Sequence, residues 1–179
     1  SVVRPENIGR ALVAGGEASA QASLWRDSVV IEASYTYTFS QNRGEAVGER
    51  GQPLPGRPAH QLETHLEFGR TWSRPDAEVD TIRPYLFYEF DLIASSFVDP
   101  SGRLALPPRL LHAAGAGLRL GPASLVADVR NLANTIETRW QPPVDGVPSV
   151  RVPISDYIGY PLPGLSAFVS LRIDFEPAS

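Results

Sequence analysis

Along most of the chain, hydrophobic residues return at every second position, the period of a strand that turns one face to each side. From Val29 the odd positions read Val29, Ile31, Ala33, Tyr35, Tyr37 and Phe39, and the even positions read Ser28, Glu32, Ser34, Thr36, Thr38 and Ser40, broken by Val30. Near the end, Leu165, Ala167, Val169, Leu171, Ile173 and Phe175 share one face, against Ser166, Ser170, Arg172 and Asp174, with Phe168 the exception. The same alternation runs through Leu12–Leu24, Gln61–Phe68, Ile82–Ser95 and Ser124–Arg130, and more weakly through Leu110–Leu120. The pattern predicts seven antiparallel strands and no helix.

Several of these patterns hold for about eleven residues or more, whereas ordinary strands run to about five or six. Eleven residues rising about 3.3 Å each and tilted near 45° span roughly 25 Å, the height of the apolar band of a transmembrane barrel. The connections alternate in length. Trp25–Asp27 and Gly121–Pro122 are short, Gln41–Arg57, Phe97–Pro108 and Asn131–Gly164 are long, and Thr71–Asp80, with its turn signal Arg74–Pro75–Asp76, is intermediate. Short turns at one end and long loops at the other are the habit of outer-membrane barrels.

Composition bears on this in stages. The chain has 179 residues, a net charge of −4 and 42% hydrophobic residues. These values suit one soluble domain, but they also suit strands averaged over a lipid face and a wet face. It holds no Cys, which excludes disulfide frameworks and thiolate metal sites. It holds no Met either, which fits a processed chain or a piece of a longer one. Every basic residue is Arg, and none gathers into the stripe that would track nucleic-acid phosphates. The charges fall on the predicted polar face: Glu17, Glu32, Glu63, Glu67, Glu89, Asp91, Asp128 and Asp174, with Arg83, Arg119, Arg130 and Arg172. The aromatic residues Trp25, Trp72, Tyr35, Tyr37, Phe39 and Phe175 collect toward strand ends, as interfacial girdles do. A soluble β-sandwich that binds a ligand such as carbohydrate gives the same period and is the alternative.

The C-terminal third adds a resemblance. Ser124–Asn134, with Asn131 and Leu132, resembles the penultimate strand of TonB-dependent outer-membrane receptors. Tyr160, Pro161, Leu162, Pro163 and Gly164, followed by Leu165–Phe175, resemble that family's closing strand, although Leu165 stands where the family usually has Arg. Asn7–Arg10 before Gly16–Glu17, and the proline-rich Leu54–His60, resemble two other strand entrances. Phe175 resembles the aromatic signal read by the outer-membrane assembly machinery, though Glu176–Ser179 follow it here. The resemblance implies about seven C-terminal strands of a larger barrel of the 22-strand type, without the plug domain and the earlier strands. It implies a bacterial outer-membrane receptor that takes up a scarce nutrient (an iron chelate, a cobalamin or a glycan) with energy supplied through TonB by way of the plug.

No catalytic constellation stands out, and no enzyme activity, cofactor or metal is expected. His60, His65 and His112 fall on different segments and fit no ligand spacing. His65 between Glu63 and Glu67 reads as hydrated wall. In the long connections Arg43, Arg50, Arg139, Trp140, Arg151, Tyr157 and Tyr160 are the candidate ligand contacts, because guanidinium groups and aromatic rings suit anionic or ring-bearing ligands.

Overall fold

The computed structural model describes residues 9–73, 81–140, 148–155 and 160–174. The strands are β1 (Ala11–Leu24), β2 (Val29–Asn42), β3 (His60–Gly69), β4 (Trp72–Ser73), β5 (Thr81–Ile93), β6 (Ser96–Phe97), β7 (Ala105–Leu106), β8 (Arg109–Leu120), β9 (Ala123–Arg130), β10 (Glu137–Trp140), β11 (Val150–Pro153) and β12 (Ser166–Ile173). No helix occurs among the described residues. One eight-stranded sheet carries the fold in the order β1-β2-β3-β5-β8-β9-β12, with β4 alongside β5. Every pairing is antiparallel, and each long strand lies beside the next long strand in sequence. The sheet is therefore an up-and-down meander. It is open: among the described residues, no strand pairs with the outer edges of β1 and β12.

The seven strands expected from the alternation are the seven along that path. The register explains why a period of two is so regular. Tyr35 faces Leu62, Leu62 faces Leu92, and Leu92 faces Leu110. Lower down, Val29, Phe68, Leu86, Ala116, Ala127 and Val169 form another such row. Side chains opposite one another in a ladder share a face, so each row extends one apolar surface across the sheet. A slip of one residue in any strand would turn its apolar set to the other side.

The tight connections hold this register. Trp25, Arg26 and Asp27 take left-handed φ angles of 50, 57 and 62° between β1 and β2. Gly121, at φ 53°, makes the turn from β8 to β9. The expected turn at Arg74–Asp76 lies outside the described residues. Two of the long connections carry short strands of their own: β6 pairs with β7 and β10 with β11. These segments have two and four residues, too short for a hydrophobic period to mark them.

Burial runs opposite to that of a soluble domain. On the apolar face Leu86 is 63%, Leu171 68% and Val169 76% exposed. On the polar face Glu67 and Asp128 are buried. The buried hydrophobic residues among those described are Val29, Leu54, Tyr85 and Ile154, which form no core between layers. No second long sheet covers the apolar surface among the described residues.

Candidate functional site

Two features of the molecule present organised chemistry: the wall formed by the polar face, and the connections at its long-loop end.

The wall is built by cross-strand pairing. Near the short turns, Glu67 of β3 receives Arg83 of β5 at 2.6 Å and Arg119 of β8 at 3.2 Å. A carboxylate holding two guanidinium groups satisfies its lone pairs and offsets its burial. Arg119 also lies 4.6 Å from the centre of the Tyr85 ring. Tyr85 faces Gly117 and Phe87 faces Gly115. A Cβ on Gly117 would fall 2.1 Å from the Tyr85 ring, and one on Gly115 would fall 2.5 Å from Phe87. The glycines thus make room for rings to lie along the wall, an aromatic-over-glycine fit that also pins the register.

Higher on the same face the register places Glu63 opposite Asp91, and His65 between Glu32 and Glu89. His65 Nδ1 lies 3.2 Å from Glu89, and Gln21 donates to Glu32 at 2.8 Å. The neighbours that matter to His65 are therefore on adjacent strands, not Glu63 and Glu67 of its own strand. These groups line a concavity of about 610 Å³. No group of three or more His, Cys, Asp or Glu residues among those described could hold a metal ion. On β9, Asp128 pairs with Arg130 at 2.8 Å, and the guanidinium lies 4.7 Å from the Phe168 ring. That explains why Phe168 breaks the alternation.

At the long-loop end the fold collects the arginines into two groups. Arg43 and Arg50 line a cavity of about 490 Å³ together with Arg10. Arg10 was not expected there. The β1–β2 register joins Ala11 to Asn42, and one more step sets Arg10 beside Arg43, whose N–H donates to the Arg10 carbonyl at 2.9 Å. The hairpin sum was the signal that could have found it. Beneath them Asn42, 1% exposed, donates to Glu49 at 3.2 Å and accepts from the Gly44 N–H at 2.8 Å. None of the three arginines forms an ion pair among the described residues.

The second group is the β10–β11 hairpin. Arg139 stands directly opposite Arg151. Like charges so placed repel. Arg139 is held by Ser149 at 2.9 Å, and Arg151 reaches Glu137 only at 3.7 Å, with the Arg151 side chain largely exposed and that of Glu137 half-exposed. One carboxylate against two guanidinium groups leaves a positive surface suited to an anion. The backbone of Trp140 pairs with Val150. Tyr157 lies outside the described residues. Tyr160 is 67% exposed and precedes Pro161, which bridges to Ser155.

The motif residues form a clasp, not a ligand site. Asn131 is buried with φ 51°. Its Nδ2 donates to the Thr135 carbonyl at 3.0 Å and the Pro163 carbonyl at 3.1 Å, and its Oδ1 accepts from the Thr135 N–H at 3.0 Å. The Leu132 N–H donates to the His112 carbonyl at 3.0 Å. Asn134 Oδ1 accepts from the Leu165 N–H at 2.9 Å. A Cβ on Gly164 would meet that same oxygen at 2.6 Å. The clasp ties the start of the longest connection to its end and delivers β12 beside β9. Phe175 and Glu176–Ser179 lie outside the described residues.

Comparison of the chain with models of known protein families and with curated proteins gives no match in either.

Proposed function

We propose that this chain forms the C-terminal wall of an outer-membrane transport barrel of the TonB-dependent receptor type. Its apolar face would lie against lipid, its polar face would line the lumen, and its long connections would meet an extracellular nutrient. The uncovered apolar face, continuous in register from β2 to β12, carries this reading. A surface of that extent, made of exposed Leu, Val, Ile and aromatic residues, marks contact with something apolar. The buried charges of the opposite face fit a wet interior, and the strictly sequential meander fits a barrel better than a Greek-key sandwich. The open edges of β1 and β12 would be closed by further strands, as a 22-stranded barrel requires.

In this reading the nutrient is an iron chelate, a cobalamin or a glycan, the energy comes through TonB and a plug domain, and the closing strand is read by the assembly machinery. The two arginine groups favour an anionic ligand. The test is fractionation combined with transport. The native protein should leave the outer-membrane fraction only with detergent, and deleting its gene or TonB should abolish uptake of the same labelled nutrient. Release as a monodisperse soluble protein without detergent would instead select the carbohydrate-binding sandwich.

A further inference from the structure

Two histidines on the apolar face are set in the same arrangement, built twice. His60 opens β3 opposite Tyr37 of β2, and its Nδ1 lies 2.7 Å from the hydroxyl of Tyr35. His112 of β8 stands opposite Phe90 of β5, and its Nδ1 meets the hydroxyl of Tyr88. In both, an imidazole sits beside two aromatic side chains spaced two apart on the preceding long strand. It faces the second ring and is hydrogen-bonded to the first. The ring centres lie 6.2 and 5.3 Å away at His60, and 6.0 and 5.3 Å away at His112. Both units stand near the long-loop ends of their strands. The short-turn end has different chemistry, with Arg70 lying 5.7 Å from the Trp72 ring.

We propose that each Tyr–His unit binds the phosphate of a lipid headgroup through the Nε2–H of its histidine. The proposal rests on the membrane reading above. A phenol is a better donor than a neutral imidazole, so the tyrosine hydroxyl donates to Nδ1 and the ring proton sits on Nε2. Neither second nitrogen has a protein partner among the described residues. A donor on a lipid-facing surface is costly unless an acceptor meets it. On an apolar face next to the loops, the acceptors at hand are lipid headgroups, and phosphate oxygens are the strongest of them. The tyrosines thus serve as positioning residues that fix the tautomer and aim the donor.

The experiment uses the native protein with 15N-labelled histidine. Spectra are compared in dodecylphosphocholine and dodecyl maltoside micelles, only the first of which carries phosphate. The Nε2 resonances of His60 and His112 should shift between the two, while His65 on the polar face stays. Tyr35→Phe should abolish the shift at His60 only, and Tyr88→Phe at His112 only. Unmoved His60 and His112 resonances, or an equal shift at His65, would overturn the proposal. An equal shift on adding inorganic phosphate to maltoside micelles would reassign the units to a free anion and overturn the lipid assignment. Quenching of Trp72 emission by brominated acyl chains, read in a variant with Trp25→Phe and Trp140→Phe, tests the membrane reading separately. Quenching with unmoved histidines sinks this proposal alone, and no quenching sinks both.

Discussion

The two faces of the same sheet are built by different rules. Over most of its area the apolar face is made of rows that repeat one kind of side chain, and only the units of His60 and His112 near the long-loop ends interrupt them. The polar face is made of particular partnerships: Glu67 with Arg83 and Arg119, His65 with Glu89, Asp128 with Arg130. A surface that meets a fluid solvent of one chemistry needs only to match that chemistry. A surface of charges close to one another needs each charge answered by a neighbour. The apolar face reports the environment, and the polar face holds the wall together.

The largest effect should come from a charge placed on the face that reports the environment. Val169→Lys sets a cation in the row with Ala127, while Ser170→Lys sets the same cation one residue away on the polar face, opposite Val126. In a bilayer, Val169→Lys should cost about 2–4 kcal/mol in urea unfolding from vesicles. Ser170→Lys should cost well under half as much. Equal and small costs would mean that the apolar face meets water, and the contrast between the faces would collapse.

Next comes a break in the partnerships. Glu67→Gln leaves Arg83 and Arg119 without their shared carboxylate. Losing hydrogen bonds to a charged group costs about 1.5–3 kcal/mol, and the half-exposed Arg119 draws the effect toward the lower end. The double change Glu67→Gln with Arg83→Met should cost less than the two single changes added together, since the second removes a cation that has already lost its carboxylate and keeps only the Asp27 carbonyl at 3.0 Å. Additive costs would show that the three residues do not act as one unit.

A third change tests shape without charge. Gly117→Val adds side-chain atoms where the Tyr85 ring lies. Overpacking of this kind costs about 1–3 kcal/mol. The ring would have to swing off the wall and lose its contact with Arg119. Adding Tyr85→Ala to Gly117→Val should recover part of the loss. No recovery would place the cost in the β8 backbone and not in the ring.

These contrasts also mark what the sequence could tell. The apolar face was legible because its period needs no knowledge of partners: each strand announces itself. Even the weak Leu110–Leu120 pattern belongs to a strand of twelve residues. The partnerships were not legible in that way. Glu67 was placed on the polar face, but nothing in its own strand says that Arg119 lies two strands away. The Tyr–His units were hidden for the same reason, since His60 and His112 read as isolated until the register set each beside Tyr-x-Tyr or Tyr-x-Phe. Arg10 was missed although hairpin arithmetic leads to it. Arg139 and Arg151 were named as separate loop residues, and only the β10–β11 pairing made them neighbours.

The smallest effect belongs to neither face and serves as their control. In the connection bearing β6 and β7, burial pushes the Asp99 carboxyl up, but hydrogen bonds from the Ser101 hydroxyl and the N–H groups of Leu104 and Arg103 outweigh it. They hold Asp99 below its ordinary 3.8. A carboxylate with a lowered folded value contributes stability above its unfolded value, and loses it as pH falls through the folded one. Hydrogen exchange at the Arg103 and Leu104 amides, which bond Asp99 at 3.0 and 2.6 Å, should therefore be protected at pH 5 and lose protection below pH 3.8. Asp99→Asn should weaken that protection at pH 5 and remove the acid-dependent step. Amides of β3 and β5 beside Glu67 should not follow the Asp99 step, because among the described residues the ion-pair partners of Glu67 are Arg83 and Arg119, neither of them in this loop. If they do, the loop and the wall open together, and the polar face is not the independent scaffold that its ion pairs describe.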